Sequence, residues 1–216
     1  MFLTRVLVGR GDEITLGLKD RYDWHQAIWR AFPGLPAGTE QPFLWRLDVG
    51  DSASTLWILS EAEPAPLGWG RQATKTVAET FLKHAKYEFA LSANPTVKRV
   101  VRFEDGCRKK NGSRTAICDA AELKEWLTRK GEAGGFRVEQ LDFDPPVKEP
   151  FYKQIETTDE KTKEKKRKTT RGTLSRVEFR GVLSPIDFEL FEATWKNGIG
   201  SAKGLGFGLL LLKPLA

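Results

Sequence analysis

The stretch PIDFELFEATWKNGIGSAKGLGFGLLLLKP (residues 185–214) decides the fold. Its first part reads as a helix, with Pro185 near the start and Gly198 just past the end, where these two residue types suit a helix. Its last part, FGLLLLKP (207–214), reads as a buried strand. Between them stand Gly198, Gly200, Gly204, Gly206 and Gly208, with Lys203 at the centre. Glycines tolerate positive φ and let a ligand approach the backbone, and exposed N–H groups in such a loop bind phosphate. The order helix, loop, strand excludes a Rossmann dinucleotide loop, which needs strand, GxGxxG, helix. A P-loop needs Ser or Thr after its lysine, and here Gly204 follows Lys203. A phosphate-binding loop and a plain structural turn stay open. The repeated Gly-apolar-Gly spacing is more regular than a turn requires.

Working outward, residues 176–184 (RVEFRGVLS) read as the strand before this helix. GGFRVEQLDFD (134–144) is a strand whose apolar positions Phe136, Val138, Leu141 and Phe143 slip one register midway. DAAELKEWLTRK (119–130) is a helix capped by Asp119, with Leu123, Trp126 and Leu127 on one face. YEFALSAN (87–94) is a strand. From residue 87 the order is therefore β-α-β-β-α-β, the split βαβ arrangement of ferredoxin-like folds. The N-terminal part begins with a strand, FLTRVLV (2–8), and a turn at residues 9–12. A helix follows from its N-cap Asp20 to about Phe32, with Trp24, Ala27, Ile28 and Ala31 facing the core. Two strands come next, PFLWRLD (42–48) and STLWILS (54–60). Residues 61–73, rich in Pro and Gly, read as irregular, and 75–85 are ambiguous between helix and strand. The fold class expected is α+β, with two tandem ferredoxin-like (RRM-like) domains at 1–85 and 86–216. Each would have an antiparallel sheet with helices on one face.

The chain has 216 residues and a mass of 24.3 kDa, with 40% hydrophobic and 30% charged residues and a mean hydropathy of −0.42. This is the composition of a globular protein. No apolar run approaches the ~20 residues of a membrane span. The first residues, MFLTRVLVGRGDE, lack the basic segment, apolar run and cleavage site of a signal peptide. The two histidines (25, 84) and two cysteines (107, 118) show no metal-ligand spacing and no disulfide framework. A reducing, cytoplasmic compartment is expected, with no membrane partner, cofactor or metal.

The formal charge is +6 and most of it is local. Residues 145–216 carry 14 basic and 9 acidic side chains, against 21 and 20 in the rest of the chain. The densest run holds Lys161, Lys163, Lys165, Lys166, Arg167, Lys168 and Arg171 between two β-type segments, FYKQI (151–155) and LSRVEFRGVL (174–183). It reads as the tip of a projecting hairpin. Such a run is a solvated loop or a set of phosphate contacts, and two-stranded ribbons fit a nucleic-acid groove. A second basic cluster lies at 98–114, from Lys98 to Arg114.

Three features together resemble a known family. The loop Gly198-Ile-Gly200, five residues, Gly206-Phe-Gly208 before a last apolar strand is similar to the signature loop of the RAMP superfamily of CRISPR-associated RNA-binding proteins. FLTRV followed by YDWHQAIWRAFP (22–33) resembles the start of the CasE family, as do SANP (92–95) and the closing GLLLLKPL. The resemblance implies a repeat-specific endoribonuclease of a type I-E Cascade complex. Such an enzyme cuts precursor CRISPR RNA at the base of its stem-loop without a metal and stays bound to the product. Its partners would be the CRISPR repeat RNA stem-loop and the other Cascade subunits. The family's catalytic histidine falls on His25 and its tyrosine on Tyr22. Some members carry a lysine five residues after the histidine, where this chain has Arg30. The groove-entering hairpin falls on 161–171, and the glycine loop, with Gly198, Gly200, Lys203, Gly204, Gly206 and Gly208, joins it in holding RNA. Two other classes stay in view, a non-catalytic RAMP-type RNA-binding subunit and a nucleotide-binding enzyme using the glycine loop.

The residues support the chemistry on their own terms. Metal-free RNA cleavage needs a base for the 2′-hydroxyl, an acid for the 5′-oxygen and groups that stabilise the phosphorane. Histidine suits either proton transfer because its unperturbed pKa is about 6.5. At ~100° per residue, Tyr22, His25 and Trp29 fall within about 60° of one another, flanking the core stripe of their helix. Arg30 lies roughly 140° from His25 on that wheel. The competing reading of His25 is a surface histidine with no role.

Overall fold

The computed structural model describes residues 1–36, 38–99, 113–158 and 165–215. Strand β1 (Phe2–Gly9) opens the chain and is followed by helices α1 (Arg10–Leu16) and α2 (Arg21–Trp29). Strands β2 (Phe43–Val49), β3 (Ala53–Ser60) and β4 (Arg71–Thr76) complete a four-stranded sheet of order β2-β3-β1-β4, with every pairing antiparallel. A 3-10 turn at Glu79–Leu82 leads to β5 (Tyr87–Ala93). The short hairpin β6 (Thr96–Arg99) and β7 (Ser113–Ala116) comes next, then α3 (Ala120–Ala133) and β8 (Phe136–Phe143). After them come β9 (Val147–Thr158), β10 (Lys165–Pro185), α4 (Phe188–Asn197) and β11 (Leu210–Pro214). The second sheet runs β11-β5-β10-β8 and is also antiparallel throughout.

Numbered within each half, both sheets read fourth, first, third, second strand, the ferredoxin-like order. The fold is thus two tandem ferredoxin-like units. The first departs from the full pattern, because residues 61–70 stand where its second helix would be. Pro64, Pro66, Gly68 and Gly70 make a helix there unfavourable.

Several local expectations need correction. The turn expected at residues 9–12 is the start of helix α1, favoured by Asp12 and Glu13 in its first turn and closed by Gly17 in the left-handed region (φ 68°). Helix α2 ends at Trp29, and the chain reaches Phe32 through tighter i→i−3 bonds, Ala31 N–H to Ile28 and Phe32 N–H to Trp29. The ambiguous segment divides, with its first residues in β4 and Glu79–Leu82 as the 3-10 turn. Pro185 ends β10 instead of starting a helix, and Asp187 caps α4 by accepting from Leu190 N at 3.0 Å. The register slip in β8 is a bulge. Val182 pairs with Gln140 but Leu183 pairs with Val138, leaving Glu139 unopposed.

The first sheet buries both faces, which positions everything that follows. Val6, Val8, Trp45, Leu56 and Ile58 pack on Trp24, Ala27 and Ile28 of α2. From the opposite face Leu44 and Leu59 enter the core of the second unit, with Tyr87, Phe89, Leu91, Phe179, Phe191 and Trp195. Each such side chain contributes about 1.5–3 kcal/mol on burial, so the two units are joined by core packing as well as by the chain. The N-terminal part of β10 pairs only with β9, from Arg176↔Val147 to Lys165↔Thr158, so the hairpin extends past the second sheet. Among the described residues no helix is long and apolar enough to cross a membrane.

Candidate active site

Helix α2 starts at a fixed point. Asp20 accepts from the backbone N–H groups of Tyr22 (2.8 Å) and Asp23 (3.1 Å), and Asp23 accepts from Asp20 N at 3.2 Å, closing a capping box. The second carboxylate oxygen of Asp20 accepts from Tyr152 N of β9 at 2.7 Å. The cap therefore holds the base of the hairpin as well as the helix.

Arg21, one residue on, is buried and joins three parts of the chain. Its Nε–H donates to Glu149 of β9, its Nη1 to the carbonyls of Leu205 (3.4 Å) and Gly206 (3.3 Å), and its guanidinium sits 4.2 Å above the Phe207 ring. Glu149 also accepts from Arg176 of β10. Burial pushes the Glu149 carboxyl up, but the two arginines outweigh it and hold it below the usual carboxylate range.

His25 lies one helical turn beyond Arg21, on the same side. It is half-buried, stacked on Tyr22 (ring centroids 6.2 Å, 28° between planes) and flanked by Trp29 and by Phe43 of β2. Its Nε2 accepts the indole N–H of Trp29 at 3.0 Å. Its Nδ1 is buried and makes no hydrogen bond of acceptable geometry among the described residues. Burial lowers the His25 pKa below the ordinary 6.5. The Gly204 carbonyl facing the ring pulls it up, and the positive charge of Lys153 on β9 pushes it down again. That carbonyl is itself held by Trp45 Nε1 at 3.2 Å.

The structure thus brings Tyr22, His25 and the glycine loop together. Arg30 is exposed at the end of α2, and its guanidinium has no hydrogen bond or ion pair among the described residues. In the loop, Gly198 caps α4 and Gly200 packs on Trp126. Gly206 (φ 80°) and Gly208 (φ 86°) are needed for close approach. A Cβ on them would stand 2.7 Å from the Trp45 ring and 2.6 Å from the Ile199 carbonyl. These glycines meet protein. Lys203 and Gly204 line a cleft of about 420 Å³ with Gln41 and Phe43, and burial and Lys130 lower the Lys203 pKa. In the hairpin, Lys165, Lys166, Arg167 and Lys168 lie in β10 and Arg171 is exposed. Lys161 and Lys163 lie outside the described residues. No group of three or more His, Cys, Asp and Glu among the described residues is placed to hold a metal ion.

Sequence reasoning missed Arg21, Glu149, Lys153 and the hydrogen bond of Trp29. Only Trp29 had a local signal, its place beside His25 on the helical wheel. The others depend on contacts between segments far apart in the chain.

A family described as CRISPR associated protein matches residues 1–214. The Cascade subunit CasE of Escherichia coli (strain K12) is 29% identical over 227 residues, covering all of both chains. The CRISPR-associated endoribonuclease Cse3 of Thermus thermophilus is 27% identical over 226 residues, covering 99% of this chain and 100% of that one. The crystal structure of Cas6e from Escherichia coli K-12 superposes with a TM-score of 0.69 at 26% identity, covering 100% of both chains. Matched over nearly its whole length in sequence and fold, the chain belongs to the CRISPR-associated protein family, in its CasE branch.

Proposed function

We propose that this chain is the endoribonuclease that cuts precursor CRISPR RNA at the base of the repeat stem-loop. It acts without a metal, leaves 2′,3′-cyclic phosphate and 5′-hydroxyl ends, and stays on the mature RNA as a cytoplasmic Cascade subunit. One observation carries the reading: a single histidine, half-buried and stacked on Tyr22, stands where α2, the base of the basic hairpin and the glycine loop converge.

The chemistry follows from that corner. With its pKa lowered, His25 is neutral at pH 7 and serves as the base. It takes the 2′-hydroxyl proton, the 2′-oxygen attacks phosphorus, the bond to the 5′-oxygen breaks, and that oxygen takes a proton from water. Tyr22 orients the imidazole by stacking and presents a phenol to the phosphate. The exposed guanidinium of Arg30 supplies positive charge to the phosphorane. The stem lies along the hairpin, against Lys161, Lys163, Lys165, Lys166, Arg167, Lys168 and Arg171. In the glycine loop Lys203 and Gly204 meet the RNA, and Gly198, Gly200, Gly206 and Gly208 shape the loop that presents them. The two domains, 1–85 and 86–216, supply the histidine and the grip respectively.

The test is cleavage of the cognate repeat in EDTA by the wild type and by His25→Ala, with end-group analysis of the products. The wild type should cut and the variant should lose at least about 100-fold, the usual size of one proton-transfer contribution. Wild-type inhibition by EDTA, or a variant that cuts at the normal rate, overturns this mechanism. Tight repeat binding with no cleavage by the wild type would indicate a non-catalytic RNA-binding subunit.

A further inference from the structure

The imidazole of His25 has two nitrogens, and in the neutral ring one carries the proton while the other accepts. Trp29, on the next turn of α2, donates its indole N–H to Nε2 at 3.0 Å. Nε2 is therefore the accepting nitrogen, and the proton of the neutral ring sits on the buried Nδ1. Phe43 packs edge-on against Trp29 with ring centroids 5.4 Å apart and also borders His25, so neither ring turns freely. An accepting nitrogen has one lone pair. It cannot hold the indole proton and take a proton from RNA at the same time.

We infer that Trp29 is a positioning residue for His25. Its indole N–H caps Nε2, holds the neutral ring in the Nδ1–H tautomer, and withdraws when the 2′-hydroxyl takes its place at Nε2. The inference deepens the proposed role of His25 as base and rests on it. At the transfer the 2′-hydroxyl proton passes to Nε2, the ring becomes imidazolium with a proton on each nitrogen, the electron pair left on the 2′-oxygen attacks phosphorus, and the bond to the 5′-oxygen breaks, that oxygen taking a proton from water. The indole N–H released from Nε2 is then a free donor beside the reacting group. Before RNA arrives, the capped nitrogen keeps the base neutral and in one orientation. Among the described residues, the other titratable groups facing His25 are Tyr22 on its own helix and Lys153 on β9. Strand β2 contributes Phe43 and the glycine loop the Gly204 carbonyl.

The experiment is nitrogen-15 NMR of the imidazole and indole in the free wild-type protein, paired with the pH dependence of cleavage by Trp29→Phe, which keeps an aromatic ring and removes the donor. In the wild type, Nε2 should show the shift of an unprotonated nitrogen and Nδ1 that of a protonated one. The Trp29 indole resonance should titrate with the midpoint of His25, because imidazolium cannot accept the bond. In Trp29→Phe the neutral ring loses its stabilisation, so the acidic limb of cleavage should move up by roughly half to one pH unit. Repeat binding should stay within about twofold, since no phosphate contact is removed. A wild-type Nε2–H tautomer, or an indole resonance that ignores His25, overturns the inference even if the variant does not fold. An acidic limb that does not move in a folded variant also overturns it. Normal cleavage by His25→Ala would instead sink the proposed base while leaving the tautomer measurement intact, so the two failures are distinguishable.

Discussion

At the residue scale, the environment of His25 sets a pH dependence with a definite sign. Burial holds its folded pKa below 6.5, so the base form persists into mildly acidic solution. The kcat/KM profile for repeat cleavage, which reports the free enzyme, should therefore have its acidic limb below pH 6.5. Removing a nearby positive charge by Lys153→Gln should move that limb upward, because Lys153 disfavours the imidazolium. A limb at or above 6.5 in the wild type would show that burial does not dominate the surroundings of the ring. The same shift makes a small contribution to stability. The unfolded chain binds a proton at His25 near pH 6.5 and the folded chain only at lower pH, so stability falls as pH drops below 6.5.

At the element scale, the link between α2 and the hairpin rests on Glu149. Its carboxylate bonds Arg21 of the helix and Arg176 of β10, while Asp20 holds Tyr152 of β9. Replacing Glu149 by Gln leaves Arg21, a buried guanidinium, without its anion. Breaking such a pair costs several kcal/mol when both ions are buried. Glu149 keeps a quarter of its side-chain surface exposed, so the expected loss in urea denaturation is smaller, about 2 kcal/mol. The sign with pH is also set. The folded pKa of Glu149 lies below its unfolded 4.5, so its contribution is full above pH 4.5 and is lost as pH falls through the lower folded value. Glu149→Gln should remove that part of the acid sensitivity. Equal stability of variant and wild type at pH 7 would mean that the hairpin base is held by Asp20 alone.

At the scale of the whole molecule, the glycine loop carries contacts between the units. Gly206 lies against Trp45 of the first sheet, and Trp45 holds the Gly204 carbonyl that faces His25. In Gly206→Ala the new Cβ would meet the indole at 2.7 Å and sit at φ 80°. The combined clash and strain should cost about 2–4 kcal/mol, seen as a lower thermal midpoint. As the loop lifts away, the Gly204 carbonyl no longer faces His25, and repeat cleavage should slow. A normal midpoint with normal cleavage would mean that the loop does not need to seat on the first sheet.

By itself the sequence determined the order β5, α3, β8, β10, α4, β11, because periodicity, caps and breakers are local properties; the short hairpin β6–β7 lies outside that reading. Asp119 caps a helix, the split apolar register of β8 is its bulge, and Tyr22, His25 and Trp29 share a helix face because helical geometry places them there. Helix α1 escaped notice because seven residues between two glycines carry little periodicity, and β4 because RQATKT has almost no apolar pattern. Only the tertiary structure decided what surrounds His25. Glu149 and Lys153 come from more than a hundred residues away, and Gly204 and Gly206 from still further, through sheet pairing and core packing. Their effects are desolvation, charge proximity and hydrogen bonding. These depend on distance in space, and chain separation carries no direct record of it.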